Sequence, residues 1–416
     1  MRIVWSGVHE HRKALEVILR TFALRGGINM NLSWSAQHTR GKALPTLLAA
    51  LPEGDVLDVL GEGRETTRWK HLAQKLGISG RINWHGWLPK DKAQEVVAKA
   101  DVFVITSLRD LTSTVLLEAL AAGKPVICLN HCGFSDVVND TCGIKIPVGM
   151  PKDILRSFAE ALHRLQDANL RKQLSDGARK RAAEYAWEKK QTVINRLYLP
   201  SWRKVLVCVY ACSPYRGSEP GMGWNYLRLI AREREVWAIV EKDKWENDIR
   251  KWLSEHPDEM KNVHFIFIHK SRCRWLRRIW PPSYYWFYRI WHWKAYKTAL
   301  RMHNEICFDC AHQLNMVGFR EPGYMWKLPI PFIWGPIGGL GLTDWRLLGL
   351  LPLGGKVEFF FRNIINWCHM HFLVRPKLAA QKAAKTKSFI AATMENQREA
   401  KKLWGVDSIV LCEIGT

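Results

Sequence analysis

Short apolar runs alternate with amphipathic stretches along the first 200 residues. Strands are predicted at Arg2–Trp5, Asn29–Ser33, Val56–Leu60, Arg81–Trp84, Asp101–Ile105, Pro125–Leu129 and Gly143–Ile146. Helices are predicted between them, at 12–25, 40–51, 65–76, 90–99, 114–122 and 151–166. Strands that read as continuous apolar runs, each followed by a helical stretch, predict a parallel sheet covered on both faces. A long polar helix is predicted from Leu170 to Tyr198, and Pro200 ends it. A second alternation starts at Lys204. Its strands are predicted at Val205–Tyr210, Val236–Val240, Val263–Ile268, Phe308–His312, Pro331–Trp334, Ser388–Ala391 and Ser408–Cys412. Two α/β domains follow, 1–200 and 203–416.

Composition narrows the picture. The chain has 416 residues, 47% hydrophobic and 24% charged, which excludes a disordered or collagen-like chain. No run of 18 apolar residues occurs, so a spanning helix is not expected. The first residues are too short an apolar run for a signal peptide. Lys plus Arg is 62 against 39 acids, a net charge of +23. That excess favours polyanionic partners: nucleic acid, anionic lipid or phosphorylated ligands. The ten cysteines are scattered, and Cys307-x-x-Cys310 has no second pair. They read as reduced thiols, not as a zinc site.

The segment Ser107 to Val126 carries the chemistry. A predicted strand ends in a polar loop holding Asp110, Thr112 and Ser113, and a helix starts near Thr114. Free N–H groups and hydroxyls at a helix N-terminus make an anion site. Glu118 lies one turn into the helix, and Asp110 precedes it by eight positions. Two acids flanking a phosphate site can grip the hydroxyls of a nucleotide sugar. A plainly capped helix with surface acids is the other reading of the same residues.

This segment resembles the signature of retaining family-4 glycosyltransferases of the GT-B fold: an acid, seven residues, Glu, then Ala-hydrophobic-Ala-x-Gly-x-Pro-Val. Gly61-Glu62-Gly63, the run Ile82 to Pro89, Ala100-Asp101 and Tyr185 to Glu188 match further blocks in order. The resemblance implies that 2–198 is the nucleotide-sugar half. It implies that Glu118 bonds the ribose, that Asp110 contacts the donor sugar, and that Thr112, Ser113 and Thr114 face the diphosphate. The family more often has Glu where Asp110 stands. After Gly7, Lys13 matches the family's phosphate-binding lysine, while Val8 stands where arginine is usual. Arg12 is either the second positive charge or a solvated surface residue. A nucleotide-diphosphate sugar, UDP- or GDP-linked, is the expected donor, with no metal and no further cofactor.

The second half resembles the acceptor domain of the same superfamily. A Gly-rich loop after its first strand holds Gly217, Gly221 and Gly223, and in the family such a loop lies between diphosphate and acceptor. His312 ends another strand, where the family places a functional His near the donor sugar. Residues 270–301 hold nine Lys or Arg, ten aromatics and no acid. That mix suits an anionic membrane headgroup layer. Nucleic acid is not expected, since no RNA-binding motif occurs. Family members carry the acceptor domain first, so the order here is inverted, as in a circular permutant. The expected architecture is two Rossmann-like domains facing across a cleft. The expected activity is transfer of a sugar to a lipid-linked or polysaccharide acceptor in envelope synthesis. The expected place is cytoplasmic, peripheral on the inner membrane face. The alternative is a non-catalytic sugar-nucleotide-binding or scaffolding protein there.

Overall fold

The computed structural model describes residues 2–7, 31–36, 56–63, 65–75, 77–271, 274–279, 283–351 and 353–416. The predicted helices 12–25 and 40–51 lie outside the described residues. Two compact units emerge, each built on a seven-stranded sheet.

The first unit comprises 1–186, 342–367 and 416. Its strands are β1 (Arg2–Gly7), β2 (Asn31–Ala36), β3 (Val56–Leu60), β4 (Ile82–Gly86), β5 (Val102–Ile105), β6 (Val126–Leu129) and β7 (Gly143–Ile146). Their order is β4-β3-β2-β1-β5-β6-β7, with every pairing parallel. All four residues of β5 and all four of β6 are buried, as a sheet covered on both faces requires. Asp58 breaks the apolar run of β3. It is fully buried and accepts hydrogen bonds from Asn83 (2.9 Å) and His85 (3.0 Å) on β4, so its carboxyl is hydrogen-bonded within the sheet.

The second unit comprises 187–341 and 368–415. Its strands are β8 (Lys204–Val209), β9 (Glu235–Glu241), β10 (Val263–Ile268), β11 (Cys310–Asn315), β12 (Phe332–Ile337), β13 (Phe389–Ala391) and β14 (Ile409–Val410). The order is β10-β9-β8-β11-β12-β13-β14, again with every pairing parallel. Both sheets thus start at a central strand, wind outward on one side, then switch to the other. That is the doubly wound, Rossmann-like α/β arrangement the hydrophobic pattern predicts.

Two boundaries differ from the sequence reading. The long helix is two helices, Ala168–Glu184 and Trp187–Leu197. The second belongs to the second unit, so the division falls at Ala186/Trp187 and not at 200–203. Burial decides this. Trp187 meets Tyr226 edge-on at 5.6 Å, and the buried ammonium of Lys190 donates to the carbonyls of Cys412 and Ile414. Conversely, 342–367 lies in the first unit although it follows most of the second in sequence.

Candidate functional site

Ligands of open α/β sheets bind at the carboxyl edge where the strand order reverses. In the first unit that point lies between β1 and β5, which pair in parallel. Gly7 ends β1, and the loop 106–113 leaves β5. The structure therefore brings Gly7, Asp110, Thr112, Ser113, Thr114 and Glu118 to one sheet edge. Lys13, Arg12 and Val8 lie outside the described residues.

The loop is built from buried hydroxyls. Thr106 and Ser107 are fully buried, and neither hydroxyl has a hydrogen-bond partner. Ser113 is the N-cap of helix Thr114–Ala121, with extended backbone, yet its side chain does not cap the helix. Its hydroxyl is buried and unpartnered too. Buried hydroxyls are normally satisfied, so three unpartnered ones along 106–113 set this loop apart. The helix adds its free first-turn N–H groups and positive dipole end. Asp110 accepts from the backbone N–H of Leu111 at 3.0 Å, which shapes the turn.

Glu118 sits one turn along. Helix Lys90–Lys99 supplies Lys90, whose ammonium lies 3.6 Å from the carboxylate. Burial raises the Glu118 pKa above the usual carboxylate value. The Lys90 charge and hydrogen bonds from Lys90 and Gln94 oppose that rise. Lys90 and Gln94 escaped the sequence reading; their spacing of four on one predicted helix was the available signal.

His131 also escaped it. Its Nε2 donates to the carbonyl of Ser107 at 3.1 Å, and its Nδ1 lies 2.8 Å from Cys132 Sγ. Burial, then the Arg109 charge, lowers its pKa to about 4, so it is neutral at ordinary pH. It ties the end of β6 to the loop after β5. Arg109 reaches across to the carbonyl of Leu342 at 2.9 Å, fastening the returning segment beside the same loop.

The second unit treats its predicted residues differently. Gly221 and Gly223 are packing glycines. A Cβ on Gly223 would stand 2.3 Å from the Ala211 carbonyl oxygen, and one on Gly221 would stand 2.4 Å from that of Arg216. Gly217 is exposed and has open space around its Cβ position. His312 is fully buried. Its Nε2 donates to the Gly335 carbonyl at 2.8 Å, and its Nδ1 lies 2.7 Å from the Tyr198 hydroxyl. Burial lowers its pKa to about 4. With both nitrogens engaged inside the unit, His312 has no atom left to offer a sugar. The residue at this switch point that the sequence reading passed over is Glu219. Its Oε1 accepts from Val317 N at 2.7 Å, and Asn315 bridges the ends of β8 and β11 through the Ala211 backbone.

The 270–301 stretch divides by face. Tyr288 and Trp291 are core, whereas Trp275, Ile279, Tyr285 and Trp286 are more than half exposed.

Residues 36–181 match the family Glycosyl transferases group 1. The chain is 32% identical over 138 residues to the lipopolysaccharide core biosynthesis glycosyltransferase LpsE of Rhizobium meliloti (strain 1021), covering 32% of this chain and 39% of that one. It is 32% identical over 106 residues to the lipopolysaccharide glucosyltransferase WaaG of Escherichia coli (strain K12), covering 25% and 28%. Among solved structures, sucrose-phosphate synthase of Thermosynechococcus elongatus superposes with a TM-score of 0.37 at 23% identity, over 47% of this chain and 44% of that one. The chain spans less than half the length of these relatives. The match falls within the first α/β unit, at residues 36–181.

Proposed function

We propose that this chain is a retaining GT-B glycosyltransferase. It takes a sugar from a nucleotide-diphosphate donor held on the first unit and passes it to a lipid-linked or polysaccharide acceptor. One observation carries the reading: the unpartnered buried Ser113 hydroxyl at the helix N-terminus, with Glu118 one turn away, inside the glycosyl transferases group 1 match. Glu118 accepts the ribose hydroxyls, and Asp110 contacts the donor sugar. The first-turn N–H groups with Thr112, Ser113 and Thr114 hold the diphosphate. Transfer breaks the bond from the anomeric carbon to the diphosphate oxygen and forms one to the acceptor oxygen on the same face. The departing phosphate takes the acceptor proton. The helix dipole, Lys13 and Arg12 stabilise the developing negative charge.

Gly217, with open space at its Cβ position, is the part of the second unit's loop that the acceptor approaches, and the exposed aromatics of 270–301 meet an anionic membrane surface. The domain order is the inverse of the family's, and the LpsE and WaaG relatives support an acceptor in envelope synthesis.

Calorimetric titration with UDP, GDP and ADP tests the reading, with Glu118→Ala as control. One nucleotide binds the wild type, and the variant loses it. Unchanged affinity in the variant would remove Glu118 from the donor site. Nucleotide binding without donor hydrolysis or transfer would move the non-catalytic scaffold ahead.

A further inference from the structure

Glu118 and Lys90 form an unequal pair within the first unit. The Glu118 side chain is 22% exposed and that of Lys90 is 70% exposed, with 3.6 Å between carboxylate and ammonium. Burial therefore weighs on the acid, while the lysine keeps most of its hydration. Lys90 is the first residue of helix Lys90–Lys99, where a cation opposes the helix dipole. A locally poor position is offset by what the side chain meets, and here it meets Glu118. Gln94, one turn along the same face, also hydrogen-bonds Glu118. Helix Thr114–Ala121 packs on helices Lys90–Lys99 and Ala168–Glu184 and on β1 and β6. Helix Lys90–Lys99 also carries Asp91, Lys99 and the pair Lys92–Glu95 at 2.7 Å. From helix Ala168–Glu184, Arg179 lies against Gly123, beyond the end of the Glu118 helix, and pairs with Asp176 at 3.3 Å. β6 carries no charged residue, and β1 has only Arg2, at its amino end. Asp110 is engaged with its own loop at Leu111 N.

We propose that Lys90 is a positioning residue of the donor site, whose ammonium holds Glu118 in the ionised form that accepts the ribose hydroxyls. The assignment rests on the reading above that Glu118 holds the ribose. An ionised carboxylate offers acceptors only, whereas a protonated one turns an oxygen into a donor. Hydrogen bonds to the charged form are also roughly twice as strong. Burial pushes Glu118 toward the protonated form, and the charge of Lys90 is the first of the effects that oppose it. Lys90 thus acts through Glu118, and nucleotide binding inherits a dependence on pH that Lys90 sets.

The test compares the full chain with Lys90→Met and Lys90→Arg in calorimetric titrations with UDP, GDP and ADP between pH 5 and pH 8. Dividing each variant's Kd by the wild type's at the same pH cancels the nucleotide's own phosphate titration. Without the Lys90 charge, Glu118 takes up its proton at higher pH, and each unit of that rise is a tenfold change in the ionised fraction below it. Lys90→Met therefore binds about tenfold more weakly at pH 5 and within about twofold of wild type at pH 8. Lys90→Arg keeps the charge and follows the wild type. A Kd ratio that is flat with pH would overturn the proposal, because Lys90 would then attract the diphosphate directly. Tighter binding by Lys90→Met would overturn it too, because the lysine would then compete with the ribose for the carboxylate. Denaturant unfolding without nucleotide separates this proposal from the donor reading. Lys90→Met lowers stability at pH 8 in the wild type and leaves Glu118→Gln unchanged. Equal losses in both backgrounds would overturn the proposal. Coupled unfolding with no nucleotide bound by the wild type would sink the donor reading and leave Lys90 setting the charge of Glu118. Nucleotide binding lost in Glu118→Ala, together with a flat Kd ratio, would do the reverse.

Discussion

Glu118 is held at a cost to the fold. Burial raises its folded pKa above the unfolded value. A raised carboxylate contributes stability fully below the unfolded pKa, and that stability is lost as pH rises through the folded pKa. At neutral pH the ionised form is therefore a burden on the fold. Glu118→Gln removes the burden. Its Tm exceeds the wild type's at pH 8, the difference shrinks toward pH 4, and nucleotide affinity falls by about tenfold or more. Equal melting curves with unaltered affinity would deny both halves of this account. His312 is the opposite case. His312→Ala leaves the Gly335 carbonyl and Tyr198 hydroxyl buried without their partner, and the ring leaves a cavity. The expected loss is about 2–4 kcal/mol in denaturant unfolding, with nucleotide affinity intact. A stable variant that no longer transfers sugar would restore the sugar-contact reading.

At the scale of elements, the Gly-rich loop separates packing from ligand approach. Helix Ser218–Ile230 crosses β8 so closely that a methyl at Gly223 would strike the Ala211 carbonyl oxygen. Gly223→Ala should cost about 1–3 kcal/mol. Gly217→Ala meets open space and should stay within about 0.5 kcal/mol of wild type. Lost turnover in a fully folded Gly217→Ala would then report acceptor approach, while normal turnover would remove this glycine from the site. The same loop shows what a sequence can and cannot display. Every described strand was legible; β5, β6 and β8 read as short apolar runs because they are parallel strands buried on both faces. The loop after β5 was legible because Asp110 through Glu118 lie within nine consecutive residues. The partners around that loop and helix were not. Lys90 reaches Glu118, His131 reaches Ser107 and Leu342 meets Arg109, each from another element, and these contacts depend on long-range packing. The break at Tyr185–Ala186 was hidden for a similar reason. The pattern stays helical through it, and only the burial of Trp187 and Lys190 against the second unit turns the chain.

For the molecule as a whole, two compact units, each with its own sheet, are expected to unfold as two cooperative steps. Buried histidines make them differ in acid. His292 and His312 in the second unit are held neutral by burial, with pKa values of about 3 and about 4; the first unit has His131 at about 4. Each folded pKa is depressed below the unfolded value of about 6.5. The unfolded chain therefore takes up protons that the folded unit refuses, and stability is lost as pH falls from that value toward 4. Two such sites give the second unit a slope approaching about 2.7 kcal/mol per pH unit, and one site gives the first about half of that. Nucleotide acts on the other axis. If only the folded first unit binds it, as proposed, it adds about 2.7 kcal/mol at a hundred times its Kd, or roughly 5–10 °C for a unit of this size. Scanning calorimetry at pH 7.5 and 5, with and without the nucleotide that binds, should show two transitions. Acid lowers one more steeply, and nucleotide raises the other. A single transition moved equally by both would mean that the units unfold together. A nucleotide shift confined to the acid-sensitive step would place the donor on the second unit and invert the assignment of the two halves.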